Sequence, residues 1–559
     1  MDSVSQGLPK SIPIPAFLVN SFSLFIYTMN NYVPGGYLVI EYVKKSHHDD
    51  PYRTIVELLL FLYGVVYYLS KPKQSKKTLQ NSKEKYNSLS KNEIDMLIDE
   101  WTPEAIVDDS EIVEESKWRL AKIPVMDSNG IKKYLNMTRD EGKESYKNVF
   151  NMSSNNSLAL SYTSKEITDE VNKTIKNYGV GACGPAGFYG NQDVHYRLEY
   201  DLSEFFGVEG ACLYGQDFCV AASALPAFNK RGDIIVADNQ ISLSLQNALQ
   251  LSRSTLYYYE HNNMESLENL LKDINDSIAS EKLPDIPRKF IVTEGLFANS
   301  GDIANLPELA KLKYKYKFRL VVEETLSLGV LGATGRGLSE FYKMNRANSI
   351  DITFGSMATA FGSSGGFVLG DRHMTFHQHI SSNAYCFSAS LPAYTTRIVS
   401  KTLEILRRDN SSVSKLNELS KLLHSKFMSS DELSKYVIIK SNENSPILHF
   451  ELRADFREKN FEYTKEQLYE KLSILQRRGF TTMFFDEYED EEVFLQKIVD
   501  SVLENFNILI SRRQIMLKHE TLPILPGIRV SVTADMTSEE VSTSADSIIQ
   551  TVLELCSSL

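Results

Sequence analysis

The 559-residue sequence is poor in cysteine and has no pairing pattern among the five it carries. Cys183, Cys212, Cys219, Cys386 and Cys556 are scattered, and none stands in a C-x-x-C pair. That excludes a disulfide framework and gives no sequence signal for a zinc site, so no metal is expected. A reduced, cytosol-facing compartment suits such thiols. Long basic runs are also missing from the part that reads as folded, and the formal net charge is −12. Phosphate binding needs clustered Lys and Arg, so nucleic acid is not the expected partner. No internal repeat is present. The N-terminus lacks a charged n-region followed by a small-residue cleavage site, so no removed signal peptide is expected.

Long apolar runs are scarce, with one exception. Ile55 to Leu69 reads IVELLLFLYGVVYYL, with Glu57 as its only charge. At about 15 residues it lies at the short edge of a membrane span, and Thr54 and Ser70 extend it cheaply to a helix over 54–70. Tyr67 and Tyr68 suit a membrane boundary, and Lys71, Lys73, Lys76 and Lys77 follow at once. The cationic side stays cytosolic, which places the N-terminus in the lumen and the large C-terminal body in the cytosol. Ile14–Met29, broken by Pro15 and Asn20, reads as an interfacial amphipathic helix.

Four regions follow. Residues 1–90 form a membrane-associated segment whose part 71–90 is a Lys-rich tether. Residues 91–149 are a lead-in helix and linker, opened by the capping box Ser90-Lys91-Asn92-Glu93 and stopped by Pro103. From 150 to 395, β-branched runs alternate with amphipathic stretches. Strands are expected at Asp233–Ala237, Phe290–Glu294, Phe318–Glu323, Asp351–Phe354 and Phe367–Leu369. That alternation predicts an α/β large domain with a mostly parallel sheet. Residues 396–559 read as a smaller α+β domain.

Several motifs carry more information than periodicity. Gly179–Gly190 reads GVGACGPAGFYG, and His195–Glu199 fits H-x-x-L-E. Glu294–Leu309 reads E-G-x-F followed by G-D-I-x-x-L-P-E-L, and 329–337 holds a G-x-x-G-x-G-R-G-like glycine turn. Paired glycines stand at Gly365–Gly366. Together, and in this order over about 390 residues, these segments resemble the α-oxoamine synthases. That family has the fold-type-I pyridoxal-phosphate (PLP) transferase architecture and joins an amino acid to an acyl-CoA with loss of carbon dioxide.

The resemblance can be followed position by position. The family pattern T-K-x-x-G-x-x-G-G puts the Schiff-base lysine where this chain has Thr359, and a threonine hydroxyl cannot form an imine. No other lysine lies between Lys343 and Lys401. The family's D-E-x-H-S is here Glu323-Glu324-Thr325-Leu326-Ser327, its ring-stacking histidine is Ser242, and its phosphate-binding G-F-x-x-N begins at Asp217. Arg529 matches the arginine that grips the substrate carboxylate; alone among these it is retained, as a substrate group or as a structural one.

The resemblance therefore implies a non-catalytic chain. The opening SIPIPA and KKSHHDDPYRT stretches and GACGPAGFYGNQDVHY look like the lysine-less chain of the eukaryotic two-chain members, the fungal serine palmitoyltransferases. It implies a heterodimer with a lysine-bearing catalytic subunit that holds pyridoxal phosphate, at the endoplasmic reticulum membrane. A small activating subunit and Orm-type regulators are further expected partners. Ser388, in Y-C-F-S-A-S-L-P, matches the hydroxyl that reaches the neighbouring cofactor's phosphate. Cys183 is either a lining residue of the partner's site or a small buried packing residue. His373, His377, His379, Tyr385 and Phe387 show no metal-ligand spacing and read as packing or surface groups. Two other readings stay open: a self-sufficient homodimer with a displaced lysine, and a membrane protein that reuses the fold to sense lipid or acyl-CoA.

Overall fold

The computed structural model describes residues 16–70, 90–101, 117–127, 131–280, 286–477, 488–513, 515, 520–522 and 524–559. They fall into two compact units, Met1–Glu111 and Ile112–Leu559. The tether over 71–89 and Pro103 lie outside the described residues.

In the first unit three helices run in series, Ala16–Tyr32, Gly36–Asp49 and Pro51–Ser70. They include the two apolar stretches read from the sequence. Among the described residues no helix is long and apolar enough to cross a membrane. Their large apolar side chains are nonetheless in the open: Phe25, Tyr37, Leu60, Phe61 and Tyr63 are all more than half exposed. A fourth helix, Lys91–Glu100, begins at the expected capping box between Ser90 and Glu93. It ends at Glu100, and its Ile94, Met96, Leu97 and Ile98 are likewise exposed.

After a short helical stretch over 117–121, the second unit has strands where a linker is expected. β1 (Val125–Met126), β2 (Tyr134–Arg139) and β3 (Glu144–Asn151) pair antiparallel. β3 also pairs parallel with β13 (Ile508–Leu509), which ties this lead-in to the C-terminal part of the chain. Buried Arg139 reinforces that tie through Asp500 at 2.7 Å.

The central sheet has seven strands: β4 (Gly210–Tyr214), β5 (Ile234–Asp238), β6 (Thr255–Tyr259), β7 (Lys289–Glu294), β8 (Arg319–Glu323), β9 (Ile352–Ser356) and β10 (Gly366–Gly370). Their order is β4-β10-β9-β8-β7-β5-β6. The pairs β5–β6, β5–β7, β7–β8 and β8–β9 are parallel, whereas β10 runs antiparallel to both β4 and β9. The five strands expected from the sequence are all present within a residue or two. β4 and β6 are additional. β6, Thr-Leu-Tyr-Tyr-Tyr, is an edge strand of alternating exposure, and β4 follows a helix with a single Gly-Val-Glu between them.

Helices cover both faces, as parallel crossovers require. Ile291, Val292, Leu320, Val321 and Val322 are fully buried, so the middle strands read as continuous apolar runs rather than alternating ones. Helix Asp193–Phe206 buries Val194, Leu198, Leu202 and Phe205, spaced three or four apart, and stops at Gly207 in the left-handed region. Helix Ala393–Arg408 then leads to helix Ser411–Met428. These precede an antiparallel sheet, β11 (Val437–Ile439), β12 (Ile447–Leu452), β15 (Ile528–Ser531) and β14 (Ser511–Arg512). The last helix, Ser538–Ser557, starts at a capping box between Thr537 and Glu540.

Candidate functional site

In an open parallel sheet, ligands bind beyond the carboxyl ends of the strands. Here those ends carry Asp238, Glu294, Glu323 and Ser356, and the loops after them bring in Ser242 and Thr359. Ser242 caps helix Leu243–Ser252, and its hydroxyl donates to Glu323 at 2.8 Å. Its backbone amide donates to Glu294. Thr325 donates to the other oxygen of Glu323 at 3.1 Å, and Thr359 donates its hydroxyl to the Thr325 carbonyl at 2.7 Å. Burial raises the Glu294 carboxyl well above its usual range, with the neighbouring Glu323 adding to the effect. Burial likewise raises Glu323. The two carboxyls end paired strands side by side, and among the described residues no Lys or Arg pairs with either.

The helix that follows β4, Phe218–Phe228, points its N-terminus at the same region. Helix N-termini bind anions because their first amides lack intrahelical partners. This one is already occupied. Asp217 accepts from the Phe218 amide at 2.9 Å and from the Ser356 hydroxyl at 2.8 Å. Gly366 lets β10 begin close beneath it: a Cβ there would sit 2.6 Å from Val220 and 2.9 Å from the Asp217 Cα. A carboxylate of the chain itself thus fills the place where a phosphate would be held.

These residues do not fit pyridoxal phosphate. Thr359 offers no amine, buried Leu326 no hydrogen bond, and Ser242 no ring face. Both oxygens of Glu323 are engaged, and Asp217 would oppose an anion. Thr359, Ser242 and Glu323 are joined through Thr325 in one polar network, while Asp217 closes the neighbouring helix start.

Arg529 lies apart from that network. It stands on β15 opposite His449 and donates to the Ser153 carbonyl at 2.9 Å. Burial lowers its basicity and also holds His449 neutral, with Arg513 and Arg529 adding to the latter effect. Among the described residues no carboxylate pairs with Arg529, and its Nε is buried without a partner.

Ser388 and Cys183 meet elsewhere, in one open cavity of about 470 Å³ lined also by Gly215, Gln216, Cys219 and Ser364. Cys183 has φ +56° in the glycine-rich turn and is exposed, so it does not pack in the core of this chain. Ser388 follows the short helix Asn383–Phe387, which leaves its hydroxyl at the surface. The two loops are laced together. Gly190 comes so near Gly184 that a Cβ would lie 1.9 Å from the Gly184 carbonyl oxygen, and the Ser390 amide donates to that oxygen at 2.8 Å. Ser390 also donates to Asn191 at 2.9 Å, and His195 holds the Leu391 carbonyl at 2.8 Å. Sequence reading quoted His195 only as part of a motif; its role as the strut behind the Ser388 loop appears only in three dimensions. Around the rim Phe188, Tyr189 and Phe387 are 61%, 95% and 69% exposed, an apolar patch of the kind that marks an interface.

The profile of the family described as aminotransferase class I and II matches residues 147–548. The chain belongs to that family. It is 57% identical over 559 residues to serine palmitoyltransferase 1 of Saccharomyces cerevisiae, covering 100% of this chain and 99% of the relative. Serine palmitoyltransferase 1 of Dictyostelium discoideum is 33% identical, covering 87% of this chain and 92% of its own length. Among solved structures, the serine palmitoyltransferase of Sphingomonas wittichii superposes with a TM-score of 0.63 at 17% identity, over 80% of this chain and 98% of that one. The 8-amino-7-oxononanoate synthase of Francisella tularensis superposes with a TM-score of 0.53 at 18% identity, over 72% and 97%. These superpositions establish the fold-type-I architecture of the second unit.

Proposed function

We infer that this chain is the non-catalytic subunit of a serine palmitoyltransferase, the enzyme that condenses serine with palmitoyl-CoA to 3-ketosphinganine. The observation that carries the reading is Asp217, whose carboxylate caps the helix that would otherwise bind the cofactor phosphate, in a chain with a threonine at the lysine position. The full-length similarity to proteins named serine palmitoyltransferase 1 supplies the reaction.

The cofactor then belongs to a lysine-bearing partner subunit, where it acts as the electron sink that makes the carbon–carbon bond formation possible. This chain contributes the opposite wall. Ser388, free at the surface and held in place through Ser390, Asn191 and His195, donates its hydroxyl to the partner's cofactor phosphate. Cys183 lines the same space. The exposed ring pair Phe188–Phe387, 6.2 Å apart, supplies apolar area for the subunit contact.

The first unit is read as the membrane-associated part, because its helices leave their aliphatic and aromatic side chains uncovered. The Lys-rich segment after residue 70 supports a lumenal N-terminus and a cytosolic body, and the proposed function suggests the endoplasmic reticulum membrane. A substrate acyl chain and a product that both partition into lipid suit that location. A small activating subunit and Orm-type regulators complete the proposed assembly.

Expression of the chain with and without a lysine-bearing homologue, followed by an assay for product dependent on serine and palmitoyl-CoA, tests the function. Product from the pair and none from the single chain is expected. Robust turnover by the single chain would overturn it.

A further inference from the structure

No cysteine or histidine spacing in the sequence indicates a metal, yet the fold assembles a ligand set from three distant segments. Glu199 on helix Asp193–Phe206, Cys212 on β4 and His379 on helix Arg372–Ser381 place their ligating atoms within 4.8 Å of one another. We propose that Glu199, Cys212 and His379 form a three-ligand site for a divalent transition-metal ion of the zinc type.

The groups have the right chemistry. A thiolate, an imidazole and a carboxylate together select Zn²⁺ over the hard cations, which prefer all-oxygen sites. The separations lie within reach of such a site. Tetrahedral Zn²⁺ with bonds of about 2.0–2.3 Å sets its ligand atoms about 3.3–3.8 Å apart. His379 Nε2 already lies 3.9 Å from Glu199 Oε1.

Two of the ligands, His379 and Glu199, are also poorly satisfied without a cation. His379 Nε2 is buried with no hydrogen-bond partner. Glu199 accepts a long bond from the Leu213 amide at 3.4 Å, and among the described residues no Lys or Arg pairs with it. Burial pushes its carboxyl up to about 7 and pushes the fully buried Cys212 thiol well above its usual range. Burial also lowers His379, which leaves the neutral imidazole that a metal requires. A dication would reverse the desolvation cost of all three.

The surroundings orient the ligands. The His379 ring stacks on Tyr385 at 4.5 Å and 15°, and the Tyr385 hydroxyl accepts from Asn191 at 3.2 Å. Metal binding expels the Cys212 proton, and any proton on Glu199, to solvent. The fourth position is left to water. Such an ion would fasten helix Arg372–Ser381 to the edge strand β4, and through Tyr385 and Asn191 it would stiffen the loop that carries Ser388.

The test is the metal content of the purified two-chain complex after equilibration with Zn²⁺ and desalting, read by elemental mass spectrometry. Variants in this chain separate its site from any metal on the partner. One zinc is expected to be lost from the complex in Cys212→Ser and in His379→Gln, the second being the milder change because His379 reaches the surface. Cobalt substitution provides an independent readout: a thiolate-to-Co²⁺ charge-transfer band present in the parent and absent in Cys212→Ser. Zinc content unchanged in both variants, or no zinc and no such band in the parent complex, would overturn the site. Neither readout depends on enzymatic turnover, so failure here leaves the functional reading standing.

Discussion

Asp217 offers the sharpest quantitative prediction. Its two oxygens hold the Phe218 amide at 2.9 Å and the Ser356 hydroxyl at 2.8 Å, so a phosphate drawn to the same helix start would lie beside it. Two like unit charges about 4 Å apart repel by about 4 kcal/mol at an effective dielectric of about 20. At about 1.4 kcal/mol per tenfold, that is roughly a thousandfold in affinity. Supplying the missing amine with Thr359→Lys should therefore fail to capture pyridoxal phosphate, since the anion site stays blocked. Thr359→Lys combined with Asp217→Asn removes the charge while keeping a side-chain oxygen for the helix cap. The double variant should bind the cofactor about a thousandfold more tightly than Thr359→Lys alone. Spectral titration measures both, in complexes whose partner lacks its own Schiff-base lysine. Dissociation constants within threefold of each other would refute the electrostatic argument, and turnover by Thr359→Lys alone would show that the site had been misjudged.

Further outcomes concern other parts of the fold. Ser388→Ala should raise the dissociation constant of pyridoxal phosphate for the two-chain complex without separating the chains on gel filtration. Arg346 is buried against Glu324, which also accepts from the Ser327 hydroxyl at 2.6 Å and the Leu338 amide at 2.7 Å. Arg346→Ala strands that carboxylate and should cost about 3–5 kcal/mol in denaturant unfolding, while Arg346→Lys should cost less. His261 is held at about 9: burial works against the charged form, but Asp238 at 2.9 Å and Asp302 at 3.5 Å outweigh it. A raised folded pKa stabilises fully below about 6.5 and is lost as pH rises through about 9, an effect of about 3 kcal/mol. The Tm gap between the parent and His261→Gln should therefore be wide at pH 6 and narrow above pH 9. On the proposed topology, with the body in the cytosol, the N-x-S/T sites at Asn136, Asn151, Asn155, Asn172, Asn275 and Asn410 should all remain unglycosylated; a glycan on any of them, seen by mass spectrometry, would overturn that topology.

The middle of the central sheet was legible because its strands are buried on both faces and so read as unbroken apolar runs such as Leu320-Val321-Val322. β6 was not, since alternate residues, Thr255 and Tyr257, face outward and edge strands carry a weaker pattern. The lead-in strands were hidden for another reason. β3, Glu-Ser-Tyr-Lys-Asn-Val-Phe-Asn, is polar for most of its length, and β13, its parallel partner, lies more than three hundred residues away. The losses at Thr359, Ser242 and Asp217 were visible as substitutions within a motif. What the substitutes do was not: that Asp217 caps the helix, or that Ser242 ties Glu294 to Glu323, depends on loops from four strands meeting. The same holds for Glu199, Cys212 and His379, whose separations in sequence match no ligand spacing and which only the edge of the sheet brings together.

The central claim is that capture of the aldehyde takes place on the neighbouring polypeptide. Borohydride reduction of the purified complex loaded with pyridoxal phosphate, followed by peptide mapping of both chains, tests it most directly. A pyridoxyl mass on one lysine of the partner and on no peptide of this chain is the predicted result. The same mass recovered stoichiometrically on a residue between Met1 and Leu559 would contradict it.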